Sequence, residues 1–158
     1  MPSEDNASDE ILGAELTSLV ARFNRWATRH GEWAVPAAQA RLLAQVDELG
    51  SARIGDLAHA DHCSQPAMTT QVRRLEEGGL LARCADPADG RAVLVSLTAR
   101  GRRVLADVRQ ARAAAVAPIV ARLDATERRR LRAAIATLSE LLNAASDEPR
   151  DPRTGETK

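Results

Sequence analysis

Apolar residues recur at helical spacing from Ile11 onward. Ile11, Leu12, Leu16, Leu19, Val20, Phe23, Trp26 and Ala27 fall on one stripe, which predicts a helix from about residue 10 to about residue 30. Gly31 suits its end, and Pro36 suits the first turn of a second helix. That helix carries Leu42, Leu43, Val46 and Leu49 and stops at Gly50. A short third helix follows, with Ile54, Leu57 and Ala58 on one face, and Asp61 to Ser64 form a polar break. Ser64 then caps a fourth helix, because its hydroxyl can accept an orphan backbone N–H and Pro66 costs little in a first turn. Met68, Val72 and Leu75 give this helix a buried stripe, and Gly78-Gly79 end it.

The period then changes. Two short β-prone runs, Leu80 to Cys84 and Ala92 to Leu97, flank a loop containing Pro87 and Asp89-Gly90, which predicts a hairpin. Thr98 is an N-cap for a long fifth helix with Val104, Leu105, Val108, Val116, Ile119 and Val120, and Pro118 should kink or interrupt it. Asp124 to Glu127 resembles a capping box opening a sixth helix with Leu131, Ile135, Leu138, Leu141 and Leu142. The predicted order is four helices, a hairpin, and two helices. The apolar stripes of the first and last helices exceed what one small core covers, so they predict mutual packing in a dimer.

Composition supports a mainly helical chain. Aromatics are 2% of 158 residues, fewer than a sandwich or barrel normally uses. No run approaches the length of a membrane span, and the acidic N-terminus lacks an apolar signal core, so neither membrane insertion nor secretion is expected. Two cysteines, Cys63 and Cys84, are too few for a disulfide scaffold and fit a reduced, cytoplasmic setting. The formal charge is zero, yet residues 1–10 carry −4 and residues 147–158 carry −1, which leaves +5 on residues 11–146. A mildly basic body is compatible with an anionic partner.

Candidate chemistry gathers in residues 53–98. The third and fourth helices form a helix–turn–helix. With Met68, Val72 and Leu75 inward, Gln65, Pro66, Thr69, Thr70, Arg73 and Arg74 face outward, and Ser64 at the cap joins them as a candidate DNA contact. Short hydrogen-bonding groups near the N-terminus with arginines further along are what a recognition helix needs to meet base edges and phosphates. Arg91 at the hairpin tip suits an adjacent minor groove.

These residues resemble a known family. Asp56-Leu57-Ala58, Ser64-Gln65-Pro66-Ala67-Met68-Thr69, Leu75-Glu76-Glu77-Gly78-Gly79-Leu80-Leu81, Asp86-Pro87, Asp89-Gly90-Arg91 and Val95 to Gly101 together look like the MarR family of winged-helix regulators. The resemblance is dense over residues 53–101. It implies a mainly α, winged helix–turn–helix fold with long terminal dimerisation helices. It further implies a homodimer on a pseudo-palindromic DNA operator, acting as a repressor. It assigns Arg91 to the minor groove and Asp89 to a salt bridge holding it. Ala88 and Gly90 depart from the family, where basic residues are common, so this wing is less charged.

The partition expected is an acidic, disordered tail over 1–9, a helical dimerisation region over 10–34 and 99–146, a winged-helix DNA-binding domain over 35–98, and a flexible tail over 147–158. Members of the family often release DNA on binding small aromatic or phenolic anions. By that resemblance Phe23, Trp26, His30 and Trp33 are candidates to line a ligand cleft, with Arg22, Arg25 or Arg29 meeting a carboxylate; core packing is the other reading of the same aromatics. Two alternatives stand beside a DNA-binding regulator relieved by such a ligand: a winged-helix protein-interaction module, and a regulator responding to thiol oxidation at Cys63 or Cys84. His59, Asp61, His62 and Cys63 crowd together, but no second ligand cluster accompanies them, so no metal and no cofactor are expected. No hydrolase elbow, dinucleotide fingerprint or Gly-rich phosphate loop is present, so an enzyme is not expected.

Overall fold

The computed structural model describes residues 4–86 and 92–147. Along the chain run α1 (Glu4–His30), α2 (Ala37–Leu49), β1 (Ala52–Arg53), α3 (Ile54–Ala60), α4 (Gln65–Glu77), β2 (Leu81–Ala85), β3 (Val93–Leu97), α5 (Ala99–Val120) and α6 (Ala125–Asp147). Two compact units, Met1–Val116 and Ala117–Lys158, divide within α5.

The core of the first unit joins the apolar stripes of α2, α3 and α4 to one sheet face. Leu43, Val46, Leu57, Met68, Val72 and Val95 are fully buried there, with Leu105 of α5 beside them. Each stripe was set by helical spacing in the sequence, and burying it supplies the main favourable term for the fold.

The sheet is antiparallel in the order β1-β3-β2. Leu81 faces Leu97 and Ala52 faces Val95, so these four residues share the core face. The sequence predicted the hairpin and missed β1. A two-residue strand has no period to detect; it exists because β3 offers Ala52 and Arg53 an open edge.

Chain reversals follow local chemistry. Gly50 ends α2 and Gly79 follows α4, both at positive φ (71° and 68°), where a Cβ would be strained. After α4 the Leu80 N–H reaches Leu75 O and the Gly79 N–H reaches Glu76 O, a Schellman closure that carries Leu80 into the core. At α6, Asp124 Oδ1 accepts from the Thr126 and Glu127 N–H groups while Glu127 Oε2 accepts from the Asp124 N–H, completing the expected capping box.

One expectation needs correction and another is narrowed. Helix α1 begins at Glu4, so it takes in most of the stretch read as a disordered tail over 1–9. The apolar stripe marks where a partner surface is needed, whereas Ala7 and Glu10 favour helix without one, and Asn6 Nδ2 donates to Glu10 Oε1 one turn on. Of the two outcomes expected at Pro118, interruption does not occur: helix α5 continues through it and ends two residues later, at Val120. So close to the C-terminus, proline forfeits one backbone bond and leaves few turns to disrupt.

Candidate nucleic-acid interface

Helices α3 and α4 meet through a four-residue turn in which His62 takes φ 50° and the Cys63 N–H reaches Ala58 O. Ser64 is the N-cap of α4, its Oγ accepting from the Ala67 N–H at 3.4 Å, and Pro66 sits in the first turn. Met68, Val72 and Leu75 are buried to 1% exposure or less. Their inward placement leaves Ser64, Gln65, Pro66, Thr69, Thr70, Arg73 and Arg74 exposed along one side, as the spacing predicted.

The polar groups on that side differ in commitment. The Thr69 hydroxyl donates to Gln65 O at 2.8 Å and the Thr70 hydroxyl to Pro66 O at 3.0 Å. Each oxygen is thereby held against the helix with acceptor capacity remaining. The Gln65 amide makes no hydrogen bond among the described residues, so its donor and acceptor are both available. Arg73 Nε pairs with Glu77 at 3.1 Å, whereas Arg74 has no ion pair among the described residues. Arg74 lines a cleft of about 270 Å³ with Gln39, Arg41 and Gln71, beside the start of α2. Arg41 is itself held by Asp61 at 2.9 Å.

One contact was not legible in the sequence. Arg83 Nε of β2 reaches both Glu76 carboxylate oxygens, at 2.9 and 3.0 Å, tying the end of α4 to the hairpin. Seven residues and a turn separate them, so no helical or strand period links them. Asp89 and Arg91, the candidates at the hairpin tip, lie outside the described residues.

The aromatic candidates fall into two groups. On α1, Phe23 and Trp26 stack at 6.2 Å, Trp26 and His30 at 4.5 Å, and His30 Nδ1 lies 2.8 Å from Trp26 O. Beside them an open groove of about 490 Å³ is lined by Leu19, Phe23 and Trp26 with Arg22, Arg25 and Arg29. Trp33 is not among its lining residues. Its ring packs over Gly31, where a Cβ would collide with it, and carries the Arg112 guanidinium 5.3 Å from its centroid. Arg112, which sequence reasoning passed over in the Ala-rich middle of α5, borders a second cleft of about 240 Å³ with Asn24, Thr28, Ala38 and Arg41. Its Nε is buried without a hydrogen-bond partner.

Cys63 is half-buried, Cys84 is exposed, and both are free thiols. No three potential metal ligands of the His, Cys, Asp and Glu types converge among the described residues. No helix there is long and apolar enough to cross a membrane.

This geometry has counterparts. Residues 35–93 match the MarR family. A helix–turn–helix-type transcriptional regulator of Mycobacterium tuberculosis is 32% identical over 142 residues, covering 89% of this chain and 96% of the relative. A helix–turn–helix-type transcriptional repressor of the same species is 38% identical over 89 residues, covering 56% of this chain and 62% of that one. Among solved structures, apo wild-type MarR of E. coli superposes with a TM-score of 0.59 at 25% identity, covering 82% of this chain and 96% of that one. The winged-helix fold is what the chain shares with these solved regulators, and neither fold nor relatives point to an enzyme. The chain therefore belongs to the MarR family and is a DNA-binding transcriptional regulator.

Proposed function

We propose that the chain acts as a homodimeric repressor, each copy laying α4 in a major groove of a pseudo-palindromic operator. The observation that carries this reading is the exposed side of α4, where, among the described residues, Gln65 is uncommitted and Arg74 is unpaired above a buried stripe. Gln65 fits bidentate recognition of an adenine, and the Thr69 and Thr70 oxygens fit exocyclic amino donors. Arg74, with Gln39 and Gln71 beside it, fits a phosphate, and Ser64 lies where the backbone meets the helix start. Asp89 and Arg91 complete the interface by resemblance, Arg91 entering the minor groove. The relative named as a repressor supports repression by promoter occupancy.

The dimer reading rests on uncovered apolar surface. On α1, Ile11, Leu12, Leu19 and Phe23 are each more than half exposed; on α6, Ile135, Leu141 and Leu142 are as well. A second copy covers such faces in a symmetric pair. The setting is the cytoplasm, where the operator is.

Relief comes from a small aromatic acid. Buried Arg112 Nε lacks a partner, and the adjoining cleft offers Asn24 and Thr28 as further polar contacts, so a carboxylate fits there. Phe23, Trp26 and His30 line or stack beside the α1 groove instead, where their arginine neighbours make a second, more open place for the same chemistry. A ligand of this kind acts only by binding unequally to two dimer geometries.

A gel shift with the DNA upstream of the protein's own gene, followed by sedimentation of the complex, tests the reading. Two chains per duplex support it. A complex with one chain per site, or no complex with any promoter fragment, overturns it.

A further inference from the structure

Arg53 and Asp86 form an ion pair that the core does not need. Arg53 Nη2 lies 2.7 Å from Asp86 Oδ2, and the carboxylate side chain is only 11% exposed against 49% for the arginine. Arg53 belongs to β1 and Asp86 follows β2, the two strands that flank β3. Arg53 and Cys84 both face Leu94, and the Asp86 N–H reaches Ala92 O at 3.0 Å one step further along the ladder. Directly opposed residues share a face, so Arg53, Leu94, Cys84 and Asp86 lie on one side of the sheet. Buried Ala52, Val95 and Leu97 are on the other. Neighbouring strands lie about 4.8 Å apart, so β1 and β2 are separated by about 10 Å. The ion pair bridges that gap across β3, on the side away from the core.

We propose that Arg53 and Asp86 are positioning residues for DNA binding: their ion pair clasps the neck of the β2–β3 hairpin to β1, and so to the helix–turn–helix that β1 leads into, fixing the angle at which the hairpin meets the duplex flank. This inference rests on the DNA-binding reading of α4 and the hairpin. The arginine of the pair is half exposed, so solvent screens the attraction and its share of fold stability is small. Its value lies in direction. The main-chain ladder joins β2 to β3 and β3 to β1 but leaves the twist between the outer strands free to vary. The Asp86 N–H to Ala92 O bond closes the neck of the hairpin, so a rotation there changes the direction in which the hairpin leaves the sheet.

The test uses the whole protein and a duplex that the wild-type chain selects from a random pool. One version carries about one helical turn of flanking sequence on each side, about 10 base pairs, and the other is trimmed to the two half-sites. Asp86→Asn and Arg53→Gln should each weaken binding to the flanked duplex roughly tenfold, and the double variant should lose clearly less than the two losses combined. Binding to the trimmed duplex should stay within about twofold, and melting temperature within about 2 °C. Asp86→Asn is decisive, because removing an ordinary acidic charge near phosphates would strengthen binding. Wild-type or tighter affinity of that variant for the flanked duplex would overturn the clasp, as would equal losses on both duplexes. If the wild-type chain selects no duplex at all, the operator reading fails first and takes the clasp with it.

Discussion

The Thr98 hydroxyl donates to Gly79 O at 2.7 Å, joining the first residue past the hairpin to the turn that ends α4. The same oxygen accepts from the Gly101 N–H at 2.9 Å, so it also caps α5. One side chain thus sets both the exit of α4 and the entry of α5. Gly101 completes the joint, because a Cβ there would collide with Leu80 O, a backbone atom with no freedom to move aside. Thr98→Val should lower stability by about 1–2 kcal/mol, or a melting temperature by about 2–8 °C. Gly101→Ala should cost about 1–3 kcal/mol. Gly13→Ala, in α1 with open space around its Cβ position, should instead leave stability equal or raise it by up to about 1 kcal/mol. Calorimetry of the three variants checks the contrast.

Salt dependence separates two neighbouring arginines. Arg74 has no ion pair among the described residues, while Arg73 is held by Glu77. Arg74→Ala should reduce affinity uniformly across sequences and flatten the log–log salt slope by about 0.9. Arg73→Ala should change the slope less, since part of its charge is already met within the helix. Equal slopes for wild type and Arg74→Ala, measured by fluorescence anisotropy across a salt series, would remove Arg74 from the interface.

Much of this arrangement was legible from residue order. The stripe Met68, Val72, Leu75 fixed the outward face of α4, and Ser64, Thr98 and Asp124 marked three helix starts, because caps and periods are local. Contacts closed by tertiary structure were hidden. Arg83–Glu76 and Arg53–Asp86 depend on which strands become neighbours, and strand β1 exists only where β3 provides an edge. Arg112 was hidden for a related reason: its approach to Trp33 links residues 79 positions apart. The onset of α1 at Glu4 was missed because polar helix carries no stripe.

Disrupting the uncovered apolar faces should separate the copies. Leu19 of α1 is 62% exposed and Ile135 of α6 is 54% exposed, so neither supports the core of its own unit. Leu19→Glu and Ile135→Glu should each shift the protein toward monomer in sedimentation while helical circular dichroism is largely kept. A wild-type chain that sediments as a monomer would contradict the dimer.

A panel of aromatic acids should raise the melting temperature of the wild-type protein. Arg112→Met keeps the apolar stem of the side chain but removes the buried Nε donor and the guanidinium over Trp33. Protection should vanish in that variant and persist in Phe23→Ala. The opposite pattern would move the ligand to the groove on α1.

The outward face of α4 is tested most directly by comparing Gln65→Ala with wild type on two duplexes, the one the protein selects and a scrambled one of equal length. The account predicts weaker binding to the selected duplex, by about 1–3 kcal/mol, and unchanged binding to the scrambled one. Full wild-type discrimination by Gln65→Ala would contradict it.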